Sequence, residues 1–174
     1  MGETVRVRSR TAQALGVAMV VLAGAGLVTA ALDGGLLRLG APTLLFGVLG
    51  WAAFWRPYVA VSDGGVTVSN TTRTIEVPWP AIDSVDGRYG LRLGTAYGRV
   101  VAWAAAAPAG RQRARGEESE TARLVNDRLQ ALRAAGHLDD PRLERPSPEV
   151  TWHSGLLAVL GLLVLASVLL PLLG

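Results

Sequence analysis

The side chains best suited to chemistry in this sequence are two histidines and a closely spaced pair of carboxylates. His137 and His153 have no acidic or cysteine partner at metal-ligand spacing, and the chain contains no cysteine. Asp83 and Asp86 stand close to Gly87, in a setting that favours a turn over a shared proton. The sequence therefore predicts a protein that is not an enzyme and that uses no metal or cofactor.

The charged residues indicate what kind of surface the protein presents. All seventeen basic residues are arginine, and the formal net charge is +3. This excess is too small to indicate a nucleic-acid partner. Arginines in the middle of the chain are instead candidates for a basic surface that faces anionic lipid. These candidates are Arg73, Arg88, Arg92, Arg99, Arg111, Arg113 and Arg115.

Apolar residues are concentrated in three stretches that are long enough to cross a bilayer. Residues 12–32 and 36–55 form the first two, and the break at Asp33-Gly34-Gly35 predicts a helical hairpin. Residues 152–174 form the third. A cleaved signal peptide is the competing interpretation of the first stretch, but that stretch is longer than a usual signal h-region. Small residues in it have a spacing that permits close helix contact: Ala14, Ala18, Gly24, Gly26 and Ala30.

The distribution of arginines predicts the orientation of these spans. Three arginines precede the first span and thirteen lie in residues 56–145, whereas the hairpin turn is followed only by Arg38. Trp51 and Trp55 suit the membrane interface, and Arg56 follows them as a water-side stop. We expect a bacterial cytoplasmic-membrane protein with its N-terminus and middle block in the cytoplasm and its C-terminus outside.

The middle block has the pattern of short β-strands followed by one helix. Turn signals at Asp63-Gly64-Gly65 and at Asn70-Thr71-Thr72 separate about six strands in residues 57–103. An amphipathic helix is expected over residues 118–135, followed by a proline-rich linker at 136–151. The fold class is therefore α+β, with a small antiparallel barrel or sandwich and a capping helix. The predicted regions are a basic tail (1–10), a transmembrane hairpin (11–55), a cytoplasmic domain (56–135), the linker (136–151) and a last span (152–174).

Two short segments carry a resemblance to a known family. The segment Arg56-Pro57-Tyr58-Val59 after two spans, and Val77-Pro78-Trp79-Pro80-Ala81-Ile82, resemble the bacterial pleckstrin-homology (PH)-like family of the actinobacterial low-molecular-weight antigen 6 type. The resemblance implies a curved antiparallel sheet, a C-terminal capping helix and no enzymatic activity. Eukaryotic relatives hold a lipid headgroup with basic residues between their first two strands. Here Asp63-Gly64-Gly65 has no base, so that site is not carried over.

Trp79, held between Pro78 and Pro80, is either a core aromatic or an anchor that docks a partner. Our first functional hypothesis is a membrane-anchored scaffold that docks a protein through Trp79 and its flanking prolines, or through an exposed strand edge. The alternatives are an anionic-lipid sensor that uses the arginine surface and an accessory subunit of a transporter or envelope-assembly complex. The sequence identifies neither the partner or lipid nor the oligomeric state.

Overall fold

A computed structural model describes residues 4–104, 119–138 and 146–172 of the chain. The chain divides into two compact units. One contains Met1–Ser9 and Pro57–Thr151, and the other contains Arg10–Arg56 and Trp152–Gly174. The first unit holds the strands and one helix, and the second holds the apolar helices.

The first unit contains a five-stranded sheet in which apolar residues alternate with polar ones. Val59, Val68 and Ile75 occupy paired positions on three neighbouring strands, so their side chains form one buried row. The order is β1-β2-β3-β4-β8, and the strands are β1 (Val5–Val7), β2 (Tyr58–Val61), β3 (Gly65–Ser69), β4 (Arg73–Pro78) and β8 (Glu149–Trp152).

Strand β1 differs from the expectation of a simple basic tail at residues 1–10. Val5–Val7 pairs antiparallel with β2 and forms one edge of the sheet. The guanidinium carbons of Arg6 and Arg8 lie 4.4 Å and 5.5 Å from the centre of the Tyr58 ring. These cation–π contacts hold a strand that is too short to be stable through its backbone bonds alone. Strand β8 likewise lies where the sequence predicts a linker.

A second sheet in the same unit has three strands in the order β5-β6-β7. Leu91 and Leu93 of β6 lie opposite Ala102 and Val100 of β7, and all four side chains are buried. Both sheets are open and antiparallel, so the predicted antiparallel α+β fold is confirmed but a closed barrel is not formed. The strands are β5 (Ile82–Asp86), β6 (Leu91–Thr95) and β7 (Gly98–Ala102).

Helix α3 (Glu120–Ala134) covers the core that the two sheets share. The Ser119 hydroxyl accepts a hydrogen bond from the Ala122 N–H at 3.2 Å and caps the first turn. Val125 and Leu129 are almost completely buried on the inner face. The helix ends before Gly136, whose φ of +72° lets the chain close the last turn as a Schellman motif.

Trp79 is the largest side chain of the shared core. Strand β4 ends at Pro78, as the two prolines predict, and a single 3-10 turn (Trp79–Ala81) then directs the indole inward. The side chain is only 3% exposed, and its N–H donates to the Ser62 carbonyl at 3.0 Å. The indole therefore fills the core and also satisfies a backbone acceptor.

The second unit consists of three helices that are long and apolar enough to cross a membrane, judged by length and composition. Helix α2 continues into a π-helical turn (Trp51–Trp55). The helices are α1 (Arg10–Leu32), α2 (Leu36–Gly50) and α4 (Ser154–Leu169), the last of which is followed by a 3-10 turn (Leu170–Leu172).

Glycines allow α1 and α2 to approach closely. A Cβ added to Gly47 would lie 2.8 Å from the Ala23 Cβ, and one added to Gly50 would lie 2.6 Å from the Met19 Cβ. Of the small residues that the sequence singles out, Ala30 is buried in this unit, and a Cβ added to Gly26 would lie 3.1 Å from the Thr43 side chain. The others are exposed, so the contact stripe is rotated from the expected one; these are Ala14, Ala18 and Gly24.

The side chain of Asn70 joins the two sheets of the first unit. Its amide nitrogen donates to the Val101 carbonyl at 2.8 Å, and its amide oxygen accepts from the Trp103 N–H at 2.9 Å. One side chain thus pairs with the edge of β7 in the way that a neighbouring strand would. Asn70 lies in the turn after β3, so this seam fixes the end of the first sheet to the edge of the second.

We expect Asn70→Ala to lower the free energy of unfolding of this unit by about 2 kcal/mol, because two hydrogen bonds to backbone groups are lost. Hydrogen exchange of the full chain should show faster exchange at residues 98–104. Gln130→Ala, on the exposed side of α3, is the control. Unchanged exchange in Asn70→Ala would show that the seam contributes nothing.

We expect Trp79→Ala to destabilise the same unit by about 3–5 kcal/mol, because it leaves a large cavity. Trp103→Ala is the matched control, since Trp103 is 68% exposed and its removal should cost less than about 0.5 kcal/mol. Thermal unfolding of the detergent-solubilised chain measures both. Equal midpoints for the two variants would contradict the core role of Trp79.

Candidate functional site

The histidines and the carboxylate pair singled out in the sequence do not form a catalytic centre in the described residues. His137 follows the end of α3 and is exposed, whereas His153 precedes the first turn of α4. The Asp86 carboxylate accepts a hydrogen bond from the Arg88 N–H at 2.9 Å, which is the turn-forming role that the sequence indicates. Among the described residues, no group of three or more histidines and acidic residues could hold a metal ion.

Trp79 does not provide the docking surface that the sequence hypothesis assigned to it. Its indole is buried and bonded to Ser62, so a partner cannot reach it without unfolding the turn. Pro78 and Pro80 are half-buried on either side of it. The three residues therefore shape the core, and the docking hypothesis has to rest on another surface.

The structure brings together only part of the predicted arginine surface. Arg92 and Arg99 lie on neighbouring strands of the three-stranded sheet, on the face opposite the core. Arg88 is exposed in the turn before β6, whereas Arg73 begins β4 in the other sheet. Three further candidates lie outside the described residues: Arg111, Arg113 and Arg115.

Arg92 is held more firmly than a solvated arginine. Its guanidinium carbon lies 5.5 Å from the centre of the Tyr89 ring, and its Nε is buried without a hydrogen bond in the described part of the chain. Asp86 lies directly opposite it on β5 and offsets its charge. The exposed positive charge of this face therefore comes mainly from Arg99.

The loop between β2 and β3 contains no base of its own, as the sequence indicates, but a base reaches it from elsewhere. Arg128 of α3 forms an ion pair with Asp63 at 2.8 Å. Both side chains are about half exposed, so the pair contributes less than about 1 kcal/mol to stability. Its effect is to occupy the loop carboxylate and to tie the loop to the helix.

The strand edges are the remaining candidates for a binding surface, and most of them are protected. The Arg133 guanidinium donates to the carbonyls of Ile82 at 3.3 Å and Asp83 at 3.1 Å along β5. Asn70 covers one end of β7. The edges of the larger sheet are β1 and β8, which are three and four residues long. Strands so short expose few backbone groups.

Within the described part of the chain, one segment of β7 is left open. Since the Val101 carbonyl and the Trp103 N–H point away from β6 toward Asn70, the N–H of Val101 and the backbone groups of Arg99 point the same way. No hydrogen bond to these groups is found in the described ranges. The Val101 side chain is 40% exposed beside them. This open edge, residues 99–101, is the candidate functional site.

Several residues that shape this site have no signal in the sequence. Asn70 and Arg133 act on strands that are 31 and 50 or more residues away along the chain. A turn asparagine and a helix arginine are common in any protein, so their types alone predict no such contact. Only their position in the folded unit shows that they close parts of two strand edges.

Comparisons with known proteins place the chain in a family. The family model described as the bacterial PH domain matches residues 56–150, which is more than half of the chain. Comparison with curated proteins and with solved structures produced no match. The matched segment contains strands β2 to β7, helix α3 and the start of β8. On this evidence the chain belongs to the bacterial PH domain family.

Proposed function

We propose that this protein is a membrane-anchored binding module, in which three helices hold the PH domain at the cytoplasmic face and the domain docks a protein partner. PH domains are typically binding modules without catalysis, and the family match supports the same role here. The three long apolar helices support the anchoring. The finer likeness to the antigen 6 type rests on the segments 56–59 and 77–82 alone.

The pairing of β1 with β2 supports the proposed topology. Strand β1 precedes α1, strand β2 follows α2, and the two strands lie in one sheet. Two segments of one sheet must lie on the same side of a bilayer. In the proposed topology, helices α1 and α2 cross it as a hairpin, and the arginine distribution supports a cytoplasmic position for the shared side. Helix α4 then carries the C-terminus to the outside.

The open edge of β7 is the observation that supports docking. An extended segment of a partner would add to residues 99–101 as a fourth strand and bond to the Val101 N–H and the Arg99 backbone. Arg99 and Val101 project from the outer face of this edge. They favour an extended partner segment whose side chains on that face are acidic opposite Arg99 and apolar opposite Val101.

Anionic lipid is the second candidate partner, and one observation favours it. Arg99 and Val101 of β7 and the exposed Trp103 just after it occupy alternate positions, which gives a face with cationic, apolar and aromatic groups. Asp86 reduces the positive charge on that face. The crosslinking experiment below separates this candidate from a protein partner.

The topology can be tested with single cysteines, because the natural chain has none. We expect Asp33→Cys, in the α1–α2 turn, to react with a membrane-impermeant maleimide added to intact cells. Tyr97→Cys, in the β6–β7 turn, should react only after lysis. Labelling of Tyr97→Cys but not of Asp33→Cys from outside would place the domain on the outer side, and labelling of both would contradict the spanning hairpin. A chain recovered in the soluble fraction would contradict anchoring.

The docking role can be tested by closing the open edge. Val101→Pro removes the outward N–H while the bonds between β6 and β7 remain, so the domain should stay folded. A photo-crosslinking amino acid in place of Tyr97 should form a protein adduct in cells, and Val101→Pro should abolish it. Val101→Thr keeps the N–H and should keep the adduct.

The outcome distinguishes three possibilities. Loss of a protein adduct only in Val101→Pro supports docking at the edge. An adduct that survives unchanged in Val101→Pro contradicts that site. An adduct of lipid mass that weakens in Arg99→Gln supports the second candidate. Thermal unfolding of each variant confirms that the domain is folded.

A further inference from the structure

The surface of the α1–α2 pair carries a continuous apolar groove. Two neighbouring depressions, of about 230 Å³ and 360 Å³, share Val20 and Trp51 in their walls. The first extends toward Gly16 and Trp55, and the second extends toward Leu27 and Leu44. Their linings are almost entirely apolar, so the groove matches a hydrocarbon chain better than a polar ligand.

The groove exists because glycines remove side chains from its floor and wall. Gly16 and Gly47 contact the facing helix directly, where a larger residue would be crowded. Gly24 has a different setting: a Cβ added to it would meet no atom within 4 Å. The space beside Gly24 is therefore open volume within the groove, and close packing of the two helices does not require a glycine at this position.

One end of the groove carries a positive charge. The π-helical turn Trp51–Trp55 places two indoles on the groove wall, and the chain then reaches Arg56. The Arg56 guanidinium carbon lies 5.5 Å from the centre of the Trp51 ring. No ion pair of this guanidinium occurs within the described residues. A cation and two tryptophans at the rim are typical of the headgroup level of a membrane.

From this geometry we propose that the groove binds a lipid with an anionic phosphate, with one hydrocarbon chain along Val20 and Gly24 and the phosphate at Arg56. Residues 16 to 27 of α1 span about 16 Å, which matches about half of the roughly 30 Å hydrocarbon core. The groove thus has the length of one leaflet. A diacyl phospholipid and a polyprenyl phosphate share this chemistry. The proposal depends on the helices being embedded in the membrane and does not depend on partner docking.

Gly24→Leu tests the apolar part of the site, because Gly24 lines the groove and a Cβ added there meets no atom within 4 Å. We expect phosphate lipid that co-purifies with the full chain in mild detergent to fall about tenfold, measured by mass spectrometry. Arg56→Gln should lower retention about fivefold, because one charge near the headgroup is removed. Gly161→Leu on α4, where a Cβ would also meet no atom within 4 Å, is the matched control and should retain lipid.

Adding lipids back to the delipidated protein shows whether the bound phosphate lipid is a diacyl phospholipid or a polyprenyl phosphate. Phosphatidylglycerol and a polyprenyl phosphate are compared with uncharged diacylglycerol, which should bind least, and the tighter of the two anionic lipids is the ligand. Equal lipid retention in Gly24→Leu and the natural chain would overturn the proposal. So would a lipid-free dimer that Gly24→Leu dissociates, since a second copy would then cover the groove. A chain that is absent from membranes contradicts anchoring itself, whereas loss of this site alone leaves the proposed function intact.

Discussion

One apolar core, shared by two open sheets and a helix, is the constraint on which the rest of the PH domain depends. Neither sheet buries its apolar face alone, and α3 covers the remaining side with Val125 and Leu129. Trp79 fills the centre of this core and satisfies the Ser62 carbonyl. The outward backbone groups of Arg99 and Val101 lie outside this core, which is why the proposed docking site is placed at a strand edge.

Side chains complete the hydrogen bonding that the open sheets leave unfinished. Asn70 pairs with β7, and Arg133 pairs with the carbonyls of β5. An uncovered edge favours association with other strands, and such caps limit that tendency at little cost. The segment at Arg99 and Val101 differs, because Asn70 bonds only the Val101 carbonyl there and leaves the Val101 N–H and the Arg99 backbone without a side-chain cap in the described residues.

Much of the domain could be predicted from local patterns, since strands β2 to β7 and α3 follow alternation, turn residues and an apolar helix face. The start of β6 at Leu91 could not, because the φ of +93° that Gly90 adopts just before it is not revealed by local residue types. Strand β1 has the alternating pattern Val5-Arg6-Val7-Arg8, but a run so short resembles a charged tail until its partner is known. The role of Trp79 also depended on tertiary context, because its sequence is compatible with a core residue and with an anchor.

The order in which the strands of the larger sheet are synthesised affects how the sheet forms and which recombinant fragments of the domain are suitable. Strand β1 emerges first and waits while 50 residues, numbers 8–57, are made, which takes about 3–10 s at usual elongation rates. Strand β1 can therefore pair with β2 only after both α1 and α2 have been synthesised. A recombinant fragment that starts at residue 56, where the family match begins, lacks this strand altogether. Such a fragment would present the bare side of β2 and be prone to self-association.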